Sequence, residues 1–202
     1  MLRSLFSILL ISLSCLLPTP AWAQKTILVY GDSLSAGYGL SNGSNWVALM
    51  RKKLAESHPD YRVVNASISG ETATGGAERI LTTLTEHHPD ILILELGAND
   101  GLRGKPLNVL ENDLNTIIAE CRKAKIKVLL VGMRLPPNYG TAYTKQFQQI
   151  YHKVALRNKL PLLPFLLDGV QPEQFQADNL HPNATAQPII LNNVLLKLLP
   201  LL

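Results

Sequence analysis

Short apolar runs at Thr26 to Tyr30, Arg62 to Ala66, Asp90 to Leu96, Lys127 to Gly132 and Leu160 to Leu163 recur along the chain, with helix-period segments between them. A strand followed by a helix cannot close a hairpin with the next strand, so the strands return parallel and the helices cover both faces of the sheet. Helices are expected over Asn45 to Glu56, Thr74 to Glu86, Leu107 to Ala124, Thr144 to Asn158 and Ala184 to Leu198. No repeat, low-complexity tract or linker interrupts the pattern. Residues 24–202 therefore read as one α/β domain, large enough to bury about 70% of the surface its unfolded chain exposes.

Residues 1–23 read differently. Arg3 is their single charge, an apolar run from Leu5 to Leu17 follows, and Pro18 and Pro20 precede the small-residue site Ala21-Trp22-Ala23. This is the pattern of a secretory signal peptide cut after Ala23. The run is too short for a comfortable membrane span, so no stable anchor is expected. Ser12 stands where a lipoprotein signal usually has leucine, and a cut there would expose Leu16 and Leu17, so lipid attachment at Cys15 is not expected. The domain that remains is expected to be periplasmic or secreted and monomeric, and Cys121, its one cysteine, has no partner for an internal disulfide. Cys121 is expected as a small buried apolar side chain on the helix from Leu107 to Ala124.

Chemistry gathers where the apolar runs end. Ser33 stands in Gly31-Asp32-Ser33-Leu34 directly after the first run, and Asp178 and His181 lie three residues apart near the other end. A serine hydroxyl becomes a nucleophile when an imidazole takes its proton and a carboxylate holds that ring in one tautomer. Pro182 keeps His181 out of helical geometry and is expected to start the last helix behind it. Gly70 follows the second run and Asn99 the third. Gly70 lets a backbone N–H approach a substrate oxygen closely, and the Asn99 amide and the Ser33 N–H can donate beside it, which is the makeup of an oxyanion hole. Taken singly, Ser33 could be a helix cap, Gly70 a turn glycine and Asn99 an Asx-turn residue. Their joint order along the chain favours the catalytic reading.

Rival readings are weaker. Gly39-Leu40-Ser41-Asn42-Gly43 matches the pattern of a nucleophile elbow, but the residues before Ser41 are too glycine-rich for the central strand that an elbow requires. Lys and Arg number 19 against 15 Asp and Glu, a net charge of +4 that falls by one with Arg3. That balance is too mild for nucleic acid. Arg51-Lys52-Lys53 and the cluster Arg122, Lys123 and Lys125 read as solvated helix faces. His87 and His88 precede Pro89-Asp90 and read as loop residues. There is no metal-ligand motif and no phosphate-cradling loop, so no cofactor or metal is expected.

Gly31-Asp32-Ser33-Leu34, Gly70, Gly97-Ala98-Asn99-Asp100 and Asp178-Asn179-Leu180-His181-Pro182 resemble the four sequence blocks of the SGNH, or GDSL, hydrolases. The likeness runs from about Lys25 to Leu199, and Ala98, where many members carry a second glycine, removes no catalytic group. The resemblance implies a flavodoxin-like three-layer α/β/α sandwich with a five-stranded parallel sheet in the order 2-1-3-4-5. It implies Ser33 as nucleophile, His181 as base, Asp178 as its partner, and Ser33, Gly70 and Asn99 as oxyanion donors. In that order Gly70, Ser33 and Asn99 emerge side by side at the switch point where open α/β sheets bind ligands. The connection from Pro164 to Asp178 is long enough to bring the last two residues back to them, at roughly 3.3 Å per extended residue.

The expected activity is hydrolysis of acyl esters, thioesters and lysophospholipids through an acyl-enzyme, with O-acetyl esterase action on a glycan as the alternative and a non-catalytic lipid or glycan binding module behind it. The segment Asp100 to Pro106, with Gly101, Leu102, Gly104 and Pro106 beside the oxyanion donors, is expected to be a mobile flap over the acyl group.

Overall fold

A computed structural model describes residues 24–202. The signal-peptide reading of residues 1–23 lies outside them. Strands β1 (Lys25–Gly31), β2 (Tyr61–Asn65), β3 (Ile91–Glu95), β4 (Lys127–Val131) and β5 (Leu162–Leu163) form one sheet in the order β2-β1-β3-β4-β5. Every pairing is parallel. The helices are α1 (Ser33–Ala36), α2 (Trp46–Ser57), α3 (Ala73–His87), α4 (Ala98–Leu102), α5 (Leu107–Lys123), α6 (Thr141–Asn158) and α7 (Gln187–Leu198). Helix α2 packs on α7, and α5 packs between α3 and α6, so two helical layers enclose the sheet.

Burial explains the order of strands. Ile27 to Tyr30 and Ile91 to Leu94 are shut away from solvent on both faces, which suits the central β1 and β3, whereas β2 at the edge alternates and shows Arg62 to water. Each fully buried Leu, Ile or Val contributes about 1.5–3 kcal/mol relative to exposure. Cys121 lies inside this core on α5, as expected.

Local signals account for most helix limits. Asn45 caps α2 by accepting from Ala48 N, and Thr72 caps α3 by accepting from Gly75 N. Two expectations change. His87 ends α3 rather than lying in a loop, and His88 closes the helix in the left-handed conformation at φ 43°. Pro182 does not start the last helix: it bridges Phe175 in antiparallel fashion, and Asn183 caps a short 3-10 turn, Ala184–Ala186, that leads into α7.

The carboxyl ends of β1, β2, β3 and β4 open toward one edge of the sheet. The connection after β5 returns to that edge in an ordered way. Asn193 on α7 holds the carbonyls of Leu166 and Asp168, and Phe175 to Pro182 closes on itself through Gln176 N to His181 O at 2.7 Å.

Candidate active site

Asp32, the residue between β1 and α1, caps the four-residue helix by accepting from Leu34 N at 3.0 Å. That cap fixes Ser33 at the first turn, with its hydroxyl facing outward at the sheet edge. His181 Nε2 lies 2.9 Å from Ser33 Oγ, and His181 Nδ1 lies 2.6 Å from Asp178 Oδ2. Asp178 Oδ1 accepts from the backbone N–H groups of Leu180 and His181, both at 3.0 Å. Asn179 takes φ 55° between them, the left-handed turn that lets one carboxylate cap its own loop. The His181 N–H is the largest cause that draws the Asp178 carboxyl down to about 2; burial opposes it, and the His181 ring and the Leu180 N–H add to the lowering. Asp178 therefore stays ionised beside the imidazole, which fixes Nδ1 as the protonated nitrogen and leaves Nε2 to accept from Ser33.

The loops at the neighbouring strand ends converge on the same place. Gly70 sits at φ 81°, and the next residue, Glu71, pairs with Arg79, which also donates to Ala66 O at 2.8 Å and lies 3.9 Å over the Tyr30 ring. Arg103 Nη2 donates to the Gly70 carbonyl at 2.8 Å. Neither the Ser33 N–H nor the Gly70 N–H donates to a backbone acceptor among the described residues. Asn99 is different: its Nδ2 donates to Asp32 Oδ2 and to Glu71 O, both at 3.0 Å. Both amide hydrogens are thus held, and donation to a substrate oxygen requires Asn99 to share or exchange one of them.

Ser33, Gly70, Asn99 and His181 line one cavity of about 520 Å³. Its walls are mostly apolar, with Met133, Leu135, Phe165, Leu167 and Phe175 from beyond β4 and β5. Of the five residues expected to form a flap, Leu102 lines the cavity and the others do not. Asp100 is buried and accepts from Ala73 N at 2.8 Å, and Gly101 packs against Leu135 and Phe147 within α4. Gly104 takes φ 63° in open space, and Pro106 caps α5. The first three residues of the expected flap, Asp100 to Leu102, therefore belong to a helix pinned to the core.

Several site residues escape a sequence reading. Tyr38 lies against His181, ring centroids 4.6 Å apart, and its carbonyl accepts from Gln176 Nε2 at 2.9 Å. Glu95, at the end of β3, is wholly buried behind the nucleophile turn. Its Oε2 accepts from Ser35 Oγ at 2.6 Å and from Asp32 N at 3.3 Å, and its Oε1 has no partner. A Cβ at Gly31 would collide with Glu95 Oε2 and lie 2.8 Å from Ser35 Oγ, so the glycine before Asp32 makes room for that carboxyl. Burial, with Asp32 nearby, pushes Glu95 well above the usual carboxylate range, and burial pushes Asp32 up to about 6. In the sequence Glu95 offers only a lone carboxylate within an apolar run, which gives no hint of these contacts.

Residues 29–187 match the model of the GDSL-like lipase/acylhydrolase family. The chain belongs to that family. It is 47% identical over 192 residues to esterase TesA of Pseudomonas aeruginosa, covering 94% of this chain and 96% of that protein. It is 42% identical over 188 residues to the thioesterase 1/protease 1/lysophospholipase L1 of Escherichia coli strain K12, covering 92% of this chain and 89% of that one. Among solved structures, a TesA crystal structure superposes with a TM-score of 0.86 at 47% identity, covering 88% of this chain and all, 100%, of that chain. The esterase EstA from a Pseudoalteromonas species, inhibited by monoethylphosphonate, gives 0.83 at 35% identity, covering 88% and 98%. With this family membership and this sheet order, the chain is an SGNH-type ester hydrolase, and the flavodoxin-like topology expected from the resemblance is the one observed.

Proposed function

We propose that Ser33 is the nucleophile of an acyl-enzyme cycle on esters and thioesters of medium or long acyl chains. Ser33 Oγ attacks the acyl carbonyl carbon while His181 Nε2 takes its proton. The tetrahedral oxyanion is received by the N–H groups of Ser33 and Gly70, with Asn99 as the third donor once it releases Asp32 or the Glu71 carbonyl. His181 then passes the proton to the leaving oxygen or sulfur as the carbon–leaving-group bond breaks. Water then attacks the acyl carbon while His181 takes its proton, and His181 returns that proton to Ser33 Oγ as the bond from Oγ to the acyl carbon breaks, releasing the free acid. Asp178 keeps the ring in one tautomer and balances the imidazolium.

The observation that carries this reading is the unbroken chain from Ser33 through His181 to Asp178, 2.9 Å and 2.6 Å, at the mouth of an apolar cavity. The cavity's size and apolar walls favour an acyl tail over acetyl, since each buried methylene contributes about 0.8 kcal/mol. The thioesterase and lysophospholipase names of the Escherichia coli relative point the same way. We further infer an exported, monomeric protein beginning at Gln24, with no helix among the described residues long and apolar enough to cross a membrane.

Labelling with an organophosphonate separates the two candidate serines. Ser33→Ala abolishes both labelling and turnover of a chromogenic acyl ester, while Ser41→Ala, in its exposed loop, leaves both intact. The reverse result would transfer the chemistry to Ser41. A series of esters from acetyl to dodecanoyl, run beside an acetylated glycan, distinguishes the acyl hydrolase from a carbohydrate O-acetyl esterase.

A further inference from the structure

We propose that Arg134 is a specificity-determining residue that holds an anionic group, phosphate or carboxylate, carried by the ester substrate. The inference rests on the hydrolase reading of Ser33 and goes beyond it to the charge of what is hydrolysed. The chain leaves β4 in an extended stretch whose side chains alternate, with Met133 and Leu135 buried and Arg134 thrown to the open side. There its guanidinium lies 4.5 Å over the Phe165 ring, and both residues line the cavity that contains Ser33.

Among the described residues, no carboxylate pairs with Arg134 and no protein acceptor takes a hydrogen bond from it. The other cations near the site are engaged: Arg79 with Glu71, Lys105 with Asp100 at 3.6 Å, and Arg103 with the Gly70 carbonyl. The one acidic residue in the cavity lining, Asp32, is buried and already accepts from Leu34 N and Asn99. A guanidinium with no counter-charge thus faces the space where substrate must sit.

Its chemistry is selective. The planar fork can bind a carboxylate or phosphate through two parallel hydrogen bonds, and stacking on Phe165 fixes the fork before the substrate arrives. Arg134 is exposed, and the Phe165 ring shields one face of its guanidinium from the water that screens a free charge. An uncharged ester leaves these donors to solvent, whereas an anionic one uses them. The anion can belong to the leaving group, as in a glycerophosphate ester, or to the far end of the acyl chain, as in the half ester of a dicarboxylic acid.

The test uses three esters of matched length: one neutral, one with a phosphate on the alcohol part, and one with a carboxylate at the far end of the acyl part. In Arg134→Gln the ratio of kcat/KM for an anionic ester to that for the neutral ester falls about tenfold, through KM, as expected for loss of one charge-assisted contact. Arg134→Lys, which keeps the charge without the fork, falls between, and the distant Arg122→Gln keeps the parent ratio. Whichever anionic ester loses its advantage identifies the half of the substrate that Arg134 holds. An unchanged ratio for both anionic esters, or a parallel loss on all three as a purely structural stack on Phe165 would give, overturns the proposal. Turnover of the neutral ester by the unsubstituted protein tests the hydrolase chemistry separately, so the two readings fail independently.

Discussion

Glu95 and Gly31 are one device seen from two sides. The carboxyl of Glu95 anchors Asp32 N and Ser35 Oγ, the groups that flank Ser33, and the missing side chain at Gly31 is what lets it reach them. A buried carboxyl with one oxygen unpartnered is held in its neutral form, and its folded value lies well above the usual 4.5. The sign of the pH effect follows. The unfolded chain loses this proton near 4.5 while the folded chain keeps it, so Glu95's contribution to stability is complete at lower pH and is lost as pH rises toward its folded value. Glu95→Gln is neutral throughout and nearly isosteric. Its melting temperature should match the parent near about pH 4 and exceed it increasingly toward about pH 8, with kcat close to that of the parent. Thermal melts across that range check this, and a variant that loses ground at higher pH would mean that the folded protein uses an ionised Glu95. Ser33, Asp178 and His181 stand out in the sequence as candidates because a hydroxyl at the end of an apolar run, with a carboxylate and an imidazole three residues apart near the other end, suggests one chemistry. Glu95, Tyr38 and Gln176 do not, because their roles arise only when distant loops meet.

Helices and strands were read where their patterns are long. The central strands and α2, α3 and α5 lie within a residue or two of expectation, because double-sided burial and capping residues mark them. Helices α1 and α4, of four and five residues, have too few turns for a period to show, and each follows a strand directly. That is why Asp100 to Pro106 reads as a flap in sequence although α4 is pinned by Asp100 to Ala73 N and by Gly101 against Phe147. Beyond Ala98 and Asn99, α4 lines the cavity with Leu102, supported from outside by Tyr139, whose hydroxyl donates to the Leu102 carbonyl at 3.0 Å. Leu102→Asn places an amide against the acyl tail without touching the buried anchors of the helix. Long-chain esters should then lose roughly 1.5–3 kcal/mol of binding, the scale of one buried leucine, while acetyl esters keep their rate. KM measured from acetyl to dodecanoyl decides it: a uniform drop in kcat across all lengths would instead assign Leu102 to positioning the catalytic loop.

Over the whole molecule, alternation of short apolar runs with helices gave the parallel sheet, but not the order of its strands. Apolar runs of similar length carry no label saying which is central, and the order 2-1-3-4-5 came from the resemblance of the four motif blocks. With the strands so arranged, the sheet, both helical layers and every group of the site lie within residues 24–202. The interior closes around Cys121, which is fully buried on α5, and burial pushes its thiol up to about 12. A chain started at Gln24 should therefore fold and hydrolyse esters at the rate of the full-length chain, without an internal disulfide to form and through the proposed Ser33, His181 and Asp178 chemistry. Reductant and chelator should leave its turnover unchanged. Because a thiol that is both neutral and enclosed can react only when α5 leaves the sheet, modification of Cys121 should be negligible in the native protein and should rise with denaturant in step with loss of activity. Rapid labelling at full activity would show instead that α5 opens locally, and that the core beneath the site is less cooperative than its packing implies.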